Sequence, residues 1–564
     1  MLNLQVIFAN APITNSNSIT KRYTLLLFLQ KLCYTSPMKT YKKHLLHGIP
    51  HAMVIDVRGT DTEVSSIEYD SRKVQAGAVF FAFPGLHTDG EQYIADAIHT
   101  GAIAIVHQNE LPSYAAGVCY VRVREVRAVM SAFVAYFYDF PSKDLVVIGV
   151  TGTEGKSSTV SFIAQLLRLA HKRAGFFSTV SYSLGDEVIP NPEHQTTPES
   201  VTVQQRLAAM RDNGCEFAVV ESSSHGLSPL TARLNDVCFD AGIFMNVTQE
   251  HLEFHGTFEQ YRFDKANLFR KLDEHAHIKA GRSVPSFGVV NADDPSAEYF
   301  YAATKQPCYS FSVNTAKKTA FLKNELQGVI AVNIKEDSNG IQFDIFESGK
   351  SESIHARAPL AGLFNVQNLC ASLLTVSSIL QKPLAELIPL LQKLEPITGR
   401  MCKIQEGQPF EVLIDYAHTP SSFQMLMPPI KDRIAKQGGK LIVVFGSGGE
   451  RDTKKRPEQG RIAAAYCDVI ILADEDPRGE DPVALLEMIA AGAPHKKLDS
   501  ELFIIPDRKA AIRKAFSLAN PHDAVLLLGK GHENTIIYKN GAIPYSEEEI
   551  ARTLLRQNLE EKDN

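Results

Sequence analysis

The run Val150-Thr151-Gly152-Thr153-Glu154-Gly155-Lys156-Ser157-Ser158 gathers residue types that together bind a polyphosphate. Closely spaced glycines let backbone N–H groups approach an anion, a lysine adds positive charge, and a serine hydroxyl can join the shell of a bound Mg²⁺. An apolar run at 145–149 precedes the loop and a helical pattern at 160–170 follows it. Strand, loop and helix thus come in the order that aims a helix N-terminus at the anion. The spacing departs from the standard nucleotide loop, because Val150 rather than Gly stands five residues before Gly155. Glu154 is the awkward member: a carboxylate beside phosphates is repelled unless it faces a cation or turns away.

Two further clusters carry chemistry. Glu221-Ser222-Ser223-Ser224-His225-Gly226 closes an apolar run. A carboxylate at the end of a parallel strand lines the ligand crevice and can offer oxygen to Mg²⁺, although taken alone such a Glu is more often a helix cap or ion-pair partner. In Asn246-Val247-Thr248-Gln249-Glu250-His251-Leu252-Glu253-Phe254-His255-Gly256, His251 and His255 are spaced to share one helix face. That suggests a zinc pair, but no third ligand at a fixed spacing accompanies it. Lys265, one helix later, reads by itself as an ordinary helix-surface lysine.

The elements that must hold these residues follow from the apolar pattern. From residue 144 onward, short Val/Ile-rich runs alternate with helical stretches, as in parallel strands buried on both faces. Strands are expected at 145–150, 217–221, 242–247 and 287–291, and in a second series at 411–416, 441–446, 469–473, 502–505 and 524–529. Between the series, 305–359 shows alternation and a turn at 337–340 that predict an antiparallel accessory sheet flanking the central one. A helix is expected at 365–380, and 396–400 makes a hinge. The reading is an α/β chain in three domains: an N-terminal αβ unit at 38–143, a central P-loop-type parallel-sheet domain at 144–397, and a C-terminal Rossmann-like domain at 398–564. Several domains are expected in any case, since single cores stop growing near roughly 250–300 residues.

Composition narrows the function classes. A net charge of -6 argues against nucleic acid as the main partner, because that binding needs a concentrated basic surface. No segment reaches the roughly 20 apolar residues of a membrane-spanning helix. Eight cysteines occur without a C-x-x-C pair, which suits reduced thiols in a cytoplasmic protein.

In order, these motifs resemble the Mur ligase family, the ATP-dependent amide-bond-forming enzymes of peptidoglycan precursor synthesis and cell wall biogenesis. The loop resembles T-G-T-N-G-K-T/S, Glu221 to Gly226 resembles E-V-S-S-H-G, and Asn246 to Gly256 resembles N-L-T-x-D-H-L-D-Y-H-G. Asn291-Ala292-Asp293-Asp294, the stretch from Gly362 to Asn368, Gly399-Arg400-Met401 and Asp415-Tyr416-Ala417-His418-Thr419-Pro420 continue the series, so the match runs from Asp70 to Glu533.

The resemblance implies ATP and Mg²⁺ as cofactors. Thr151, Gly152, Thr153, Glu154, Gly155, Lys156, Ser157 and Ser158 would cradle the nucleotide, with Asn291, Arg400 and Asp415 holding it as the C-terminal domain closes. Lys156, Glu221, His251 and Lys265 would be the catalytic set. Ser157, Glu221, His251 and Lys265 would surround Mg²⁺, with Lys265 carbamylated as N6-carboxylysine; the zinc reading then falls away.

Within the family, the resemblance is closest to members that add a diamino acid to UDP-N-acetylmuramoyl-L-alanyl-D-glutamate. Tyr69, Ser71 and the 85–90 loop would meet the uridine nucleotide, and Gln195, Thr196, Thr197, Ser223 and Arg233 the muramoyl peptide. Arg451, Asp476, Pro477, Arg478, Gly529 and Glu533 would select the amino acid. Arg478 favours a carboxylate, hence meso-diaminopimelate. Asp476 stands where diaminopimelate enzymes have Asn and favours the distal ammonium of L-lysine or L-ornithine. The chain is read as a cytoplasmic monomer with no nucleic-acid or membrane partner. A folylpolyglutamate synthetase, or a binding-only protein that exploits Glu154, are the alternatives.

Met38 opens Met38-Lys39-Thr40-Tyr41-Lys42-Lys43 and is expected to be the start, with residues 1–37 an upstream extension. N-terminal sequencing of native protein should return Met38 or Lys39; Met1 or Leu2 would overturn this.

Overall fold

The computed structural model describes residues 41–84, 89–193, 195–337 and 339–563, with side chains to 558. The proposed extension and positions 85–88 of the uridine loop lie outside them. Two compact units form, one from 41–47, 57–106 and 111–121, the other from 48–56, 107–110 and 122–564.

In the first unit, β1 (Ser66–Glu68), β2 (Ala78–Phe81) and β3 (Ala102–His107) run parallel. All four residues of β2 are buried, which is why it reads as unbroken apolar sequence. Immediately after β1, Asp70 caps a single helical turn, Ser71–Lys73, by accepting from Arg72 N, and its carboxylate pairs with the Arg72 guanidinium at 2.8 Å.

The second unit contains an eleven-stranded sheet. Its strands are β4 (Val146–Thr151), β5 (Ala174–Phe177), β6 (Ser181–Ser183), β7 (Ile189–Pro190), β8 (Phe217–Glu221), β9 (Ala241–Phe244), β10 (Phe287–Asn291), β11 (Cys308–Ser312), β12 (Gly328–Asp337), β13 (Gly340–Glu347) and β14 (Ser353–Ala358). The spatial order is β7-β6-β5-β8-β4-β9-β10-β11-β12-β13-β14. From β5 to β12 the pairing is parallel; β12, β13 and β14 then turn antiparallel. The strands expected to flank the central sheet instead extend it, because β12 pairs directly with β11. The sequence reading had no counterpart to β5 or β11, short runs that only their neighbours make into strands.

Alternation along β4 builds both faces of the core. Val146, Ile148 and Val150 join one cluster with α1 (Lys156–Leu169) and α3 (Asn365–Leu380), while Val147 joins Val220, Leu268 and Phe269 on the other face. On that second face lies α2 (Phe258–Arg270), which carries Lys265. A Cβ at Gly149 would meet Leu268 Cδ1 at 2.4 Å, so a glycine is what lets α2 lie this close to β4.

The C-terminal part has a six-stranded sheet in the order β15-β16-β20-β17-β18-β19, where β15 is Cys402–Ile404, β16 Glu411–Asp415, β17 Leu441–Phe445, β18 Val469–Leu472, β19 Leu502–Ile504 and β20 Ala524–Leu528. Only β15 is antiparallel. The α/β class read from the sequence is the one observed. Among the described residues, seven cysteines are free and no helix is long and apolar enough to cross a membrane.

A buried ion pair ties this part together. Arg508, at the start of α5 (Arg508–Leu518), lies 2.6 Å from Glu547 of α6 (Glu547–Asp563) and also donates to the Leu528 carbonyl of β20 at 2.6 Å. Both side chains are fully buried, so removing one strands the other's charge. Arg508→Ala should cost about 3–5 kcal/mol in denaturant unfolding, whereas an Arg508→Met/Glu547→Leu pair should recover most of that loss.

Candidate active site

The parallel register fixes the site. Glu221 pairs with Val150, and Phe244 with Thr151, so the carboxyl ends of β8, β4 and β9 release their loops together. Gly155 adopts φ +82°, and a Cβ there would meet Asn368 Oδ1 at 2.6 Å, so glycine is required on both counts. Asn246 holds the loop: its Oδ1 accepts from Thr153 N at 3.2 Å and Glu154 N at 2.8 Å. Lys156 bends back, Nζ donating to the Thr153 carbonyl at 2.7 Å. Ser158 lines a cavity described below.

Glu221 is 1 % exposed yet well supplied with donors. Its Oε1 accepts from Ser157 Oγ at 3.1 Å and Thr179 Oγ1 at 3.0 Å, and its Oε2 from Thr179 N at 2.7 Å. Thr179 Oγ1 also lies 3.1 Å from Thr196 Oγ1. Next to these, Thr197 Oγ1 donates to the Glu221 carbonyl and accepts from Ser223 N and Oγ. Arg233 donates to the Thr197 carbonyl at 3.0 Å and pairs with Glu199 at 2.7 Å. Gln195 is exposed beside this group.

Lys265 is not a surface lysine. It is 2 % exposed, donates to the Gly152 carbonyl at 2.6 Å, and lies 4.4 Å over the Tyr261 ring. Burial, reinforced by Lys156, pulls its pKa well below the ordinary lysine value, which favours a neutral, nucleophilic amine. His251 has φ +56° and sits beside Glu250 and Glu253 at 3.7 and 3.5 Å. Burial lowers its pKa, so the imidazole is neutral and able to ligate. His255 is committed elsewhere, with Nδ1 2.8 Å from Asp264 and Nε2 3.0 Å from Ser224 Oγ, and this geometry removes the His251/His255 zinc pair.

The C-terminal part closes over the loop. Arg400 Nη2 reaches Ser157 Oγ at 3.4 Å, its guanidinium lies 4.8 Å over the Tyr416 ring, and its Nε is buried without a partner among the described residues. Asp415, at the end of β16, accepts from Met401 N and Ala417 N, each at 2.8 Å. Thr419, which caps α4 (Pro420–Ala435), donates to Glu154 Oε1 at 3.1 Å. Between them remains a cavity of about 50 Å³ lined by Glu154, Ser158, Asn368, Arg400 and Asp415 among others. Nucleotide-sized pockets run to roughly 300–1,000 Å³, so this cleft must widen to admit one. Asn291 does not line the cavity; its Nδ2 donates to the Met245 carbonyl and its Oδ1 accepts from Asp293 N.

A second cluster follows the ends of β18 and β20. Lys530, fully buried, bridges Asp476 Oδ1 at 2.8 Å and Glu533 Oε2 at 2.5 Å. Glu533 also accepts from Tyr416 OH at 3.2 Å. Arg478 has φ +54°, its N–H bonded to the Ile537 carbonyl and its Nε buried without a partner among the described residues. Pro477 packs its carbonyl against Gly449, where a Cβ would meet it at 2.0 Å, and a Cβ on Gly529 would meet Glu475 Oε2 at 2.6 Å. Arg451 is exposed.

Comparison with known proteins decides the family. The Mur ligase middle domain matches residues 150–376, the Mur ligase glutamate ligase domain 399–531, and the Mur ligase family catalytic domain 63–138. A protein of Treponema denticola called UDP-N-acetylmuramyl-tripeptide synthetase is 58 % identical, over 91 % of this chain and 98 % of its own. The chain belongs to the Mur ligase family. A second tripeptide synthetase, from Treponema pallidum, is 54 % identical over 92 % and 98 % of the two chains. A solved UDP-N-acetylmuramoyl-L-alanyl-D-glutamate–2,6-diaminopimelate ligase superposes with a TM-score of 0.58 at 26 % identity, covering 90 % of this chain and 98 % of that one.

In this Mur ligase the structure brings Thr153, Lys156, Ser157, Glu221, Thr196, Thr197, Ser223, Lys265 and Arg400 into one region, while Asp476, Arg478 and Glu533 form the second. Tyr69 and Ser71 lie in the first unit, where the Tyr69 ring stacks 5.8 Å from Phe83. Thr179, Asn246, Asn368, Thr419 and Lys530 escaped the sequence reading as site residues. Four of them stand inside or beside the motifs quoted above, but Thr179 had no local signal.

Glu154 is the one acid in the loop. Burial, together with Glu250, raises its pKa to about 7. The folded chain therefore keeps this proton where an unfolded one releases it near pH 4.5, so its stability contribution is full below that value and is lost as pH rises towards 7. Glu154→Asn should raise the thermal midpoint more at pH 8 than at pH 5, and should lower the ATP KM at pH 8. Unchanged midpoints and kinetics would show that the acid is neutral in effect.

Proposed function

We propose that this Mur ligase is a cytoplasmic, monomeric ATP-dependent ligase, ADP-forming, that adds a diamino acid to UDP-N-acetylmuramoyl-L-alanyl-D-glutamate in peptidoglycan precursor synthesis. The observation that carries the reading is the meeting, at one set of strand ends, of the phosphate loop, the buried carboxylate of Glu221, the depressed amine of Lys265 and Arg400 from the C-terminal part.

In the first step, a D-glutamyl side-chain carboxylate oxygen attacks the γ-phosphorus of ATP, giving an acyl phosphate and ADP. In the second, the amine of the diamino acid attacks the acyl carbon, the C–N bond forms, inorganic phosphate leaves, and the amine loses a proton. The protein's task is positioning and charge neutralisation. Lys156 exchanges the Thr153 carbonyl for phosphate oxygens. Arg400, whose Nε lacks a partner, faces the same charge from the other side. Contact across Thr419 and Glu154 keeps water from the acyl phosphate once the cleft closes again.

The donor set suits Mg²⁺. Ser157 and Glu221 present hard oxygens to each other, His251 is neutral, and the neutral Lys265 amine can add to carbon dioxide and release a proton to become a carbamate with anionic oxygens. These four residues would hold Mg²⁺, which would neutralise phosphoryl charge. Thr196, Thr197, Ser223 and Arg233 would receive the muramoyl peptide, with Gln195 at its rim. Tyr69 and Ser71 would receive the uridine end.

Arg451, Asp476, Pro477, Arg478, Gly529 and Glu533 would take the diamino acid. Lys530 already pairs with both Asp476 and Glu533, so the acid at 476 is less available to a distal ammonium than its sequence position implies. The Arg478 guanidinium remains for a carboxylate, which favours meso-diaminopimelate. Phosphate release should require both the UDP-muramoyl dipeptide and the amino acid. Of meso-diaminopimelate, L-lysine and L-ornithine assayed in parallel, the first should turn over fastest, and Arg478→Ala should raise its KM at least about tenfold while leaving the other two within threefold. Equal or greater turnover with lysine or ornithine would overturn the choice of amino acid; release without the dipeptide would overturn the activity.

A further inference from the structure

At the amino ends of the central strands, opposite the phosphate loop, lies a cluster outside the site described above. Asp240 directly precedes β9 and is completely buried. Its Oδ2 accepts from Val147 N and from Lys279 Nζ, each at 2.9 Å. Its Oδ1 faces two histidines from the segment after α2, with His277 Nδ1 at 2.9 Å and His275 Nε2 at 3.8 Å.

The hydrogen-bond accounting at His277 is informative. Its Nε2 lies 2.8 Å from the Leu272 carbonyl, which can only accept, so that nitrogen carries a proton. With a second proton on Nδ1 the ring donates to Asp240; without it the Nδ1 lone pair faces the carboxylate, and a metal cation between them takes the place of that proton. His275 Nε2 opens onto the same space, shielded from solvent and without a hydrogen-bond partner among the described residues. The three ligand atoms all lie within 4.8 Å of one another.

We propose that Asp240, His275 and His277 bind a divalent ion of the zinc class. Imidazole and carboxylate ligands at about 2.0–2.2 Å in a tetrahedron stand roughly 3.3 Å apart, between the 2.9 and 3.8 Å seen here. The Leu272 carbonyl is the outer partner that fixes the ring and tautomer of a ligating histidine. Lys279 and Val147 hold the carboxylate by its other oxygen, leaving Oδ1 for the ion. Solvent supplies the fourth ligand. Bound there, the ion clasps the segment following α2 to the start of β9, and so braces from behind the helix that carries Lys265.

The test uses full-length protein stripped with a chelator and held in excess Mg²⁺, which occupies hard-oxygen sites such as that of Glu221. Zn²⁺ titrated by calorimetry should bind one per chain and, at a hundredfold excess over Kd, raise the thermal midpoint by roughly 2–3 °C. Co²⁺ should bind competitively and show the visible bands of a four-coordinate ion. His275→Ala, which breaks no hydrogen bond made by Nε2, and His277→Gln should each weaken Zn²⁺ at least about tenfold. Absence of Zn²⁺ binding above Mg²⁺, or binding and a Co²⁺ spectrum unchanged by His275→Ala, would overturn the proposal and leave a clasp held by protons alone.

Discussion

The register of three parallel strands is the constraint on which the rest of this protein depends. Because Val150, Thr151, Glu221 and Phe244 come level across β8, β4 and β9, the loops that leave them converge within hydrogen-bonding distance. A slip of one residue would turn every side chain of a strand to the opposite face. Glu221 would leave Ser157 and Thr179, and Val147 and Ile148 would exchange cores. The hydrophobic pattern that builds the two faces therefore also aims the chemistry.

Buried charge is managed by sharing. Lys530 lies between Asp476 and Glu533, Arg508 meets Glu547, and Asp240 is surrounded by Lys279 and two histidines. Each ion avoids the several kcal/mol that an unpaired one costs. Lys265 differs: among the described residues its amine meets the Gly152 carbonyl and the Tyr261 ring, and burial beside Lys156 makes it favour the neutral form.

The contact between Glu154 and Thr419 links the phosphate loop to the cap of α4. Together with Arg400 on Ser157 it draws the cleft down to a cavity far smaller than a nucleotide. Ligand entry and domain contact therefore compete for the same surface, and the family's Asn at position 154 would carry no charge into that competition.

Much of the fold is legible in the sequence. Residues 217–221 and 287–291 were expected as strands and 365–380 as a helix, and all three form with those bounds, since buried parallel strands and a long apolar helix announce themselves locally. The antiparallel alternation of β12 and β13 was also visible, although not that they would continue the main sheet. The sequence by itself determined the family, the order of motifs and the glycines the loop needs, because these reside in residue type and short spacing. Only the tertiary structure decided that Lys265 is buried, that Lys530 occupies the acids at 476 and 533, that Thr179 supports Glu221, and that Asp240 meets His275 and His277. Those pairings depend on where the sheet brings distant segments together, and no local pattern of apolar and polar residues encodes such a meeting.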